Sequence, residues 1–551
     1  VTKDYLNQLN GYINDDISTF SGGLNTYSDK AFVETNQLPY AMNICSYKPP
    51  MICPRPSRKY IFEAPSEDYR IVSLYAVDSE TIYYIARTKI GASQLLCCAE
   101  KQNDGRWDTY EYNTLQLPDA ETLYFCQCKT ATNNYLYICG ANYKAKADIT
   151  SGEHASYFTP IVDNHYGIPC WHKGRLFLAD QSSRVITFSA LYDYDNFTPV
   201  PEGEDPLDID YSSYAGDFFV TNSKGRIQNI VSFDDKLVIF CKHSIHLLYG
   251  DTPLLTSSSQ FQLVDLNNNL GCSAPQTVSV GGGNLYWLGD DREVYAFSGA
   301  YFDLISKPAV NKRVQRYSAI SNLNIAEPGW TIAGGDNDIE AFGVATSTKY
   351  YISLPIEQVN GAEKRILFVF DATSNVWWAE DGEPLALSNF SSGIDGIVFS
   401  NKDGDVFEVT KEHTGYDSVL VNGYRENIPI KYEFHTKVYG ADGLDSRKSL
   451  SKVWLQASAD ADVFLTDSWT SSDQWHGRLK DASLKKIGTL TQKGQKEMTS
   501  EYLDTYSEYD YEQQVCYVQK MYGQRLNTFQ IVIRGSGPAK FYLMKRDWDA
   551  R

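Results

Sequence analysis

Residues Ser279–Gly299, SVGGGNLYWLGDDREVYAFSG, carry the reading that decides the fold. The stretch reads as two short strands, Asn284–Leu288 and Glu293–Phe297, around a tight Gly-Asp-Asp turn. Leu285, Tyr286, Trp287 and Leu288 form a continuous apolar run. A run that short, rich in aromatics and bounded by Gly and Asp, fits a strand covered on both faces. An isolated hairpin is marginal in water, so the cover must come from elsewhere in the chain. More copies of the same unit supply it.

From residue 63 the theme of apolar strand, polar turn, apolar strand recurs. Ile71–Tyr75 precedes Ile82–Ala86, Leu123–Cys126 precedes Tyr135–Cys139, and Arg175–Ala179 precedes Val185–Ser189. Ile227–Phe233 precedes Leu237–Cys241 and Ile245–Tyr249; beyond the opening unit, Ala341–Ala345 and Leu385–Phe390 start two more. The starts lie about 50 residues apart, a kelch-like period, and no long amphipathic helix interrupts them. The spacing predicts a mainly β chain, with a β-propeller of about six or seven blades over residues 63–424. Residue identity between units is weak, which leaves a pair of sandwiches or a solenoid open. Residues 425–551 read as a small β-sandwich platform domain, ending in a hairpin turned at Gly535-Ser536-Gly537. A polar insertion at about 480–521 carries Tyr502, Tyr506 and Tyr509 at helical spacing, which predicts an amphipathic helix.

Composition bounds the function. The 551 residues are 42% hydrophobic, so a large core is within reach. Tyr is abundant, 40 against 25 Phe and 10 Trp, and aromatics favour strands and half-buried surfaces. No apolar run approaches the ~18 residues of a membrane span. The start, VTKDYLNQ, has no apolar signal region, so no secretion is expected. Lys plus Arg against Asp plus Glu stands at 6 and 5 over residues 1–62, 25 and 47 over 63–424, and 19 and 17 over 425–551. The middle is strongly acidic, whereas tight sequence-independent DNA binding needs clustered basic charge. Its surface reads as a soluble acidic face, or as one that must not stick to a passing polyanion.

Candidate chemistry is sparse. The 11 Cys have no framework spacing, which predicts reduced, mostly buried thiols; Cys126 and Cys128 lack a partner pair that would complete a metal site. His243 and His246 sit three apart on a strand-like run, hence on opposite faces. Asp403-Gly404-Asp405 and Asp336-Asn337-Asp338 resemble pieces of calcium loops but lack the closing bidentate Glu, so turn chemistry accounts for them. Adjacent Trp377 and Trp378 predict one core anchor and one interface residue. No GxSxG, HExxH or GxxxxGK[ST] element occurs. The expectation is no enzyme, no cofactor and no metal.

Before residue 63 the chain reads as a surface-wrapping arm. Gly22-Gly23-Leu24-Asn25 is followed by Asn36-Gln37, Ala41-Met42-Asn43 and the Arg55-Pro56 segment. This opening resembles the start of the tail nozzle, or tail-stabilisation, proteins of short-tailed bacteriophages. Further matching stretches are Phe188–Phe197, Ile230–Gly250, Gly271-Cys272-Ser273-Ala274-Pro275 and the strand pair of the opening unit. The resemblance covers about residues 20–300 and concerns architecture, not catalysis. It implies that residues 1–62 join 425–551 in a platform. It further implies a virion tail protein, assembled in the host cytoplasm as a homo-oligomeric ring, a hexamer. The ring would sit below the portal against the head-to-tail adaptor and other tail proteins, and DNA would pass through its channel without specific binding. The partner-facing residues would be Leu24, Asn25, Arg55 and Arg58. A tail-associated propeller enzyme or lectin acting on polysaccharide is the alternative, and a cellular propeller scaffold a third. Replacing Arg55 and Arg58 with Glu is expected to weaken docking on the particle and to leave the propeller folded, because the arm lies outside the repeats.

Overall fold

The structure is a computed structural model and describes residues 12–17, 19–25, 33–48, 51–152, 154–201, 211–253, 260–306, 332, 339–357, 363–389, 396–421, 424–439, 448–466, 485–491, 515–520, 525–526 and 529–550. Among these, every regular element is a strand except a single 3-10 turn at Pro275–Thr277.

Six four-stranded antiparallel sheets follow one another along the chain, and a seventh is completed from its beginning. Blade 1 is Tyr69–Ala76, Thr81–Thr88, Gln94–Lys101 and Trp107–Glu111. Blades 2 to 6 open with Tyr124–Lys129, Ile168–His172, Ile227–Phe233, Ser279–Gly281 and Phe342–Ala345. Blade 7 takes Ala386–Asn389, Ile397–Ser400 and Asp405–Val409 from the end of the repeats, and its outer strand, Arg58–Glu63, from the arm. The propeller is therefore seven-bladed. The boundary expected at 62/63 falls inside the strand that closes the ring.

Strand alternation explains why the apolar runs are continuous. Successive side chains point to opposite faces, and each blade is covered by a neighbour on both. Tyr286 stacks on Tyr350 of blade 6 at 4.8 Å, while the next residue, Trp287, packs on Phe240 of blade 4 at 5.3 Å. Tyr84 and Cys97 likewise join the core between blades 7 and 1, and Tyr83 and Cys98 that between blades 1 and 2. Each pair of neighbouring blades shares such a cluster, including blades 7 and 1, so the ring is closed.

The two chain ends meet in one ten-stranded sheet. Its spine is the antiparallel pair Lys448–Thr466 and Gln530–Ala550. Tyr12–Ile17 pairs with Gln530–Ala550, and Tyr40–Met42 reaches the same strand through Lys431–His435. The hairpin Ile44–Lys48/Met51–Pro54 is tied on by Ile52 opposite Phe541. The buried face of this sheet belongs to the same apolar cluster as the core between blades 5 and 6, with Phe434, Val453, Leu455 and Phe541 joining Tyr350, Ile366 and Trp377.

Three local expectations change. The described strands of the chain ends, those of the arm up to Pro54 included, form one ten-stranded sheet packed on blade 6, where the sequence predicts a separate sandwich. Gly535-Ser536-Gly537 is no turn. The ladder slips there, with Ala459 opposite Ala539 and Ala461 opposite Gly535, so the extra residues bulge and the strand runs on. Gly537 at φ +81° supplies the backbone freedom the bulge needs. Within the expected insertion, Lys485–Leu490 and Val515–Lys520 are strands paired with Lys448–Thr466, while Tyr502, Tyr506 and Tyr509 lie outside the described residues.

Trp287 is fully buried between two blades, so Trp287→Ala should cost ~3–5 kcal/mol through lost contacts and a cavity. Tyr301→Ala, at a 76% exposed side chain, should stay within ~0.5 kcal/mol of wild type. Denaturant unfolding of both variants checks the contrast.

Candidate functional site: the seam between the chain ends and blade 6

The outer strand of blade 6, Val376–Glu380, would on its own present an open edge of unpaired backbone groups. The arm covers it. Leu24 N–H donates to the Trp377 carbonyl at 2.9 Å, and Asn43 N–H donates to that of Ala379 at 2.8 Å. The Gly22-Gly23 turn lets the chain come this close. Gly23 has φ +75°, and a Cβ there would lie 2.7 Å from Val376 Cβ. Asn25 Nδ2 donates to Gln37 Oε1 at 2.7 Å and braces the turn. Leu24 itself is buried in the shared core.

Two arginines then lock the arm. Arg55 donates to both carboxylate oxygens of Asp417 (2.8 and 2.7 Å), to Asp381 at 3.1 Å and, through Nε, to Asn43 Oδ1 at 3.1 Å. Arg58 donates to Glu380 at 2.9 Å and Asp381 at 3.1 Å. Both arginines are buried, at 2% and 4% exposure. Burial disfavours the Arg55 charge, but the hydrogen bond with Asp417 and the nearby carboxylates outweigh it and hold its pKa above the usual range. Burial also pushes the Asp381 carboxyl up, yet Arg55, Arg58 and Asn43 together bring it down to about 2. Asn43, in the left-handed region at φ +58°, is the hub that sequence reading passed over. Its Oδ1 also accepts from Asp381 N–H, and its Nδ2 donates to the Lys431 carbonyl.

The four arm residues expected to face a partner thus converge on one strand end of their own chain. Leu24, Arg55 and Arg58 are internal, and only Asn25 is partly exposed. The premise that the arm lies outside the repeats is corrected: charge reversal at Arg55 and Arg58 strikes the fold itself.

Beside the clamp, two segments run together. Ser57 N–H donates to the Glu412 carbonyl, Thr410 N–H to that of Ser57, and the Ser57 and Thr414 hydroxyls meet at 2.6 Å. This brings His413 against the hairpin cysteines. Its Nδ1 lies 3.7 Å from Cys45 Sγ, 3.5 Å from Cys53 Sγ and 2.9 Å from the Pro54 carbonyl oxygen. Among the described residues this is the one group of His, Cys or carboxylates with metal-ligand proximity. Cys45 and His413 are 368 positions apart, so spacing in the sequence gave no signal for it.

The other candidates are absorbed locally. His243 pairs with Asp290 of blade 5, and buried His246 bonds Ser244 and Asp265. Asn401 Oδ1 accepts from the N–H groups of Asp403, Gly404 and Asp405, a turn. Cys126 and Cys128 sit in the apolar core between blades 2 and 3, where burial and then the neighbouring thiol push Cys128 far above its ordinary range. Trp377 and Trp378 are both buried, so neither is left on the surface as an interface residue. Asp336-Asn337-Asp338 lies outside the described residues. No described helix is long and apolar enough to cross a membrane. A cavity of about 660 Å³ opens among the loops of blades 2 to 4, lined by Trp171, Lys173, Tyr192 and Asp251.

No protein-family model and no curated protein matches the chain. Among solved structures it is similar to the virginiamycin B lyase of Staphylococcus aureus, at 11% identity and a TM-score of 0.37, over 64% of this chain and 99% of that one. It is also similar to the β-propeller domain of the Trilobed protease from Pyrococcus furiosus, at 9% identity and a TM-score of 0.35, over 65% and 97%. A third is the Nup170–Nup53 complex of Chaetomium thermophilum, at 10% identity and a TM-score of 0.32, over 70% and 66%. At these values the likenesses say nothing of what this chain does.

Arg55→Ala leaves Asp417 without its counter-charge and Asp381 with Arg58 alone, and should cost ~3–5 kcal/mol in denaturant unfolding. Arg55→Lys should recover only part, since an ammonium cannot bond both Asp417 oxygens as a fork. The folded Asp381 carboxyl has a depressed pKa, so its contribution is complete above the ordinary carboxylate pKa of about 4 and is lost as pH falls toward 2. Asp381→Asn should flatten that part of the stability–pH curve.

Proposed function

We propose that the chain is a structural protein of a virus particle: the ring-shaped nozzle of a short-tailed phage, seated below the portal and adaptor and guiding the genome through its channel. The observation that carries this reading is the ten-stranded sheet built from both chain ends on one side of a seven-bladed propeller. The resemblance of the arm and of blades 3 to 5 to nozzle proteins implies such a platform. An acidic propeller accords with it, because phosphates passing nearby are repelled rather than held.

A ring needs a subunit contact, and the hairpin Tyr416–Val421/Tyr424–Pro429 offers one. Tyr424–Pro429 is exposed along its whole length. Tyr416 and Leu420 lie on one face and Tyr424 and Ile428 on the other, all of them exposed. The hairpin pairs with blade 7 at Ser418 opposite Lys59, and its exposed apolar side chains gain most from a second copy of the chain covering them. In this reading the clamp residues act indirectly: Asp417, which holds Arg55, is also in the hairpin, so arm and hairpin are set together.

A glycan-binding or glycan-cleaving propeller is the second reading, favoured by the cavity with Trp171 and exposed Tyr192, since aromatic rings can stack on sugars. Incubation with host cell-surface polysaccharide, scored for binding or chain shortening, separates it from the first.

Electron micrographs of the purified protein should show rings with an open pore, and a compact monomer at all concentrations would sink the nozzle reading. Leu420→Asp with Tyr424→Asp should abolish rings in sedimentation while leaving the unfolding midpoint of the monomer unchanged.

A further inference from the structure

Cys45, Cys53 and His413 bring two thiols and an imidazole to one spot. Cys45 and Cys53 face each other across the hairpin, and both thiols are buried, at 6% and 2% exposure. Both approach the same imidazole nitrogen, which also lies 2.9 Å from the Pro54 carbonyl oxygen. One nitrogen has either one proton to give or one lone pair to share. Deprotonated, Nδ1 accepts from one thiol, while Cys45 Sγ can also donate to the Pro54 carbonyl at 3.8 Å. What marks the site is the convergence of two sulfurs and an imidazole nitrogen on one point, all within 4.8 Å.

We infer that Cys45 Sγ, Cys53 Sγ and His413 Nδ1 form a binding site for a thiophilic divalent cation, Zn²⁺. Two thiolates and an imidazole are the donor set that such an ion selects, and a hard ion such as Mg²⁺ or Ca²⁺ does not. The geometry agrees. Zinc–sulfur bonds of about 2.3 Å and a zinc–nitrogen bond of about 2.0 Å at tetrahedral angles put sulfur and nitrogen about 3.5–3.6 Å apart. The sulfur–nitrogen separations here are 3.5 and 3.7 Å, and all three donor atoms lie within 4.8 Å of one another. The fourth position is left to water or the Pro54 carbonyl.

Proton balance follows. Each thiol gives up its proton on binding. The imidazole stays neutral, with its proton on Nε2, so that Nδ1 presents its lone pair to the ion. Two protons leave per ion, and affinity rises with pH until both thiols are ionised. The contact with Cys53, and then burial, hold the Cys45 thiol well above its ordinary range. Location gives the site its meaning. The cysteines belong to the arm's hairpin in the end sheet, and His413 to the link between blade 7 and the exposed hairpin 416–429. An ion here pins the arm to the end of the repeats beside the arginine clamp. This inference does not depend on the nozzle reading, and its test reports on ion binding alone.

The test uses the full-length protein, reduced, stripped with a chelator and reconstituted with ZnCl₂ or CoCl₂. Expected are one zinc per chain after desalting, release of two protons per zinc, and a thiolate-to-cobalt charge-transfer band in the near ultraviolet. X-ray absorption of the wild-type zinc form should show two sulfur ligands, and this needs no variant to fold. Cys45→Ser and His413→Ala should each weaken binding at least tenfold. Cys126→Ser, at a thiol buried in the propeller, should leave the cobalt spectrum unchanged. Chelator should lower the thermal midpoint of the wild type but not of Cys45→Ser. Absence of retained zinc under reducing conditions would overturn the proposal, as would a cobalt band that survives Cys45→Ser, or a zinc shell without sulfur.

Discussion

Everything in this structure depends on Arg58–Glu63 lying against Asp405–Val409. A propeller has no stable partial form of the usual kind, because each blade buries its two faces against neighbours. The repeats end with blade 7 one strand short. The missing strand comes from far upstream, so closing the ring costs the entropy of joining distant chain segments. The bonds that tie residues 54–58 to 410–417 offset that cost just before the closing strand. Arg55, Arg58, Ser57 and Asn43 are concentrated there for this reason.

The clamp also shows where charge is placed in an acidic protein. Three carboxylates, Glu380, Asp381 and Asp417, surround two arginines. Taking this many charges from water is expensive, and a well-packed apolar seam of the same volume could be as stable. A charged seam adds register. The fork of Arg55 fits the Asp417 carboxylate in one orientation, so it fixes where the arm meets the hairpin after blade 7 and where the closing strand begins. The price is vulnerability to acid, since the same carboxylates must stay ionised.

Because the arm is spent on its own chain, the proposed ring would use other surfaces. The hairpin after blade 7 is the clearest of these: its second strand is exposed throughout, and its base is held by Asp417 in the clamp. The seam thus orients the hairpin, joins the end sheet to the ring, and sets His413 against the two hairpin cysteines. One region links closure, the proposed subunit contact and the proposed ion site.

The propeller was legible because its inner strands are apolar on both faces. The period, the strand pairs and the two-sided cover of Leu285–Leu288 follow from that alone. Outer strands such as Trp107–Glu111 and Gln262–Asn267 escaped, being half exposed and without an apolar signature. The end sheet was read as a sandwich because its two long strands are interrupted by glycines and polar residues. Their bulges look like turns until a neighbouring strand supplies the ladder. Arg55 and Arg58 looked like surface cations because their partners, Asp381 and Asp417, lie more than 300 positions away. The same distance hid His413 from Cys45. Local chemistry, through alternation, turns and burial, therefore determined the blades. Which residues meet at the seam was decided by ring closure, which brings the start and end of the repeats together and has no local signature.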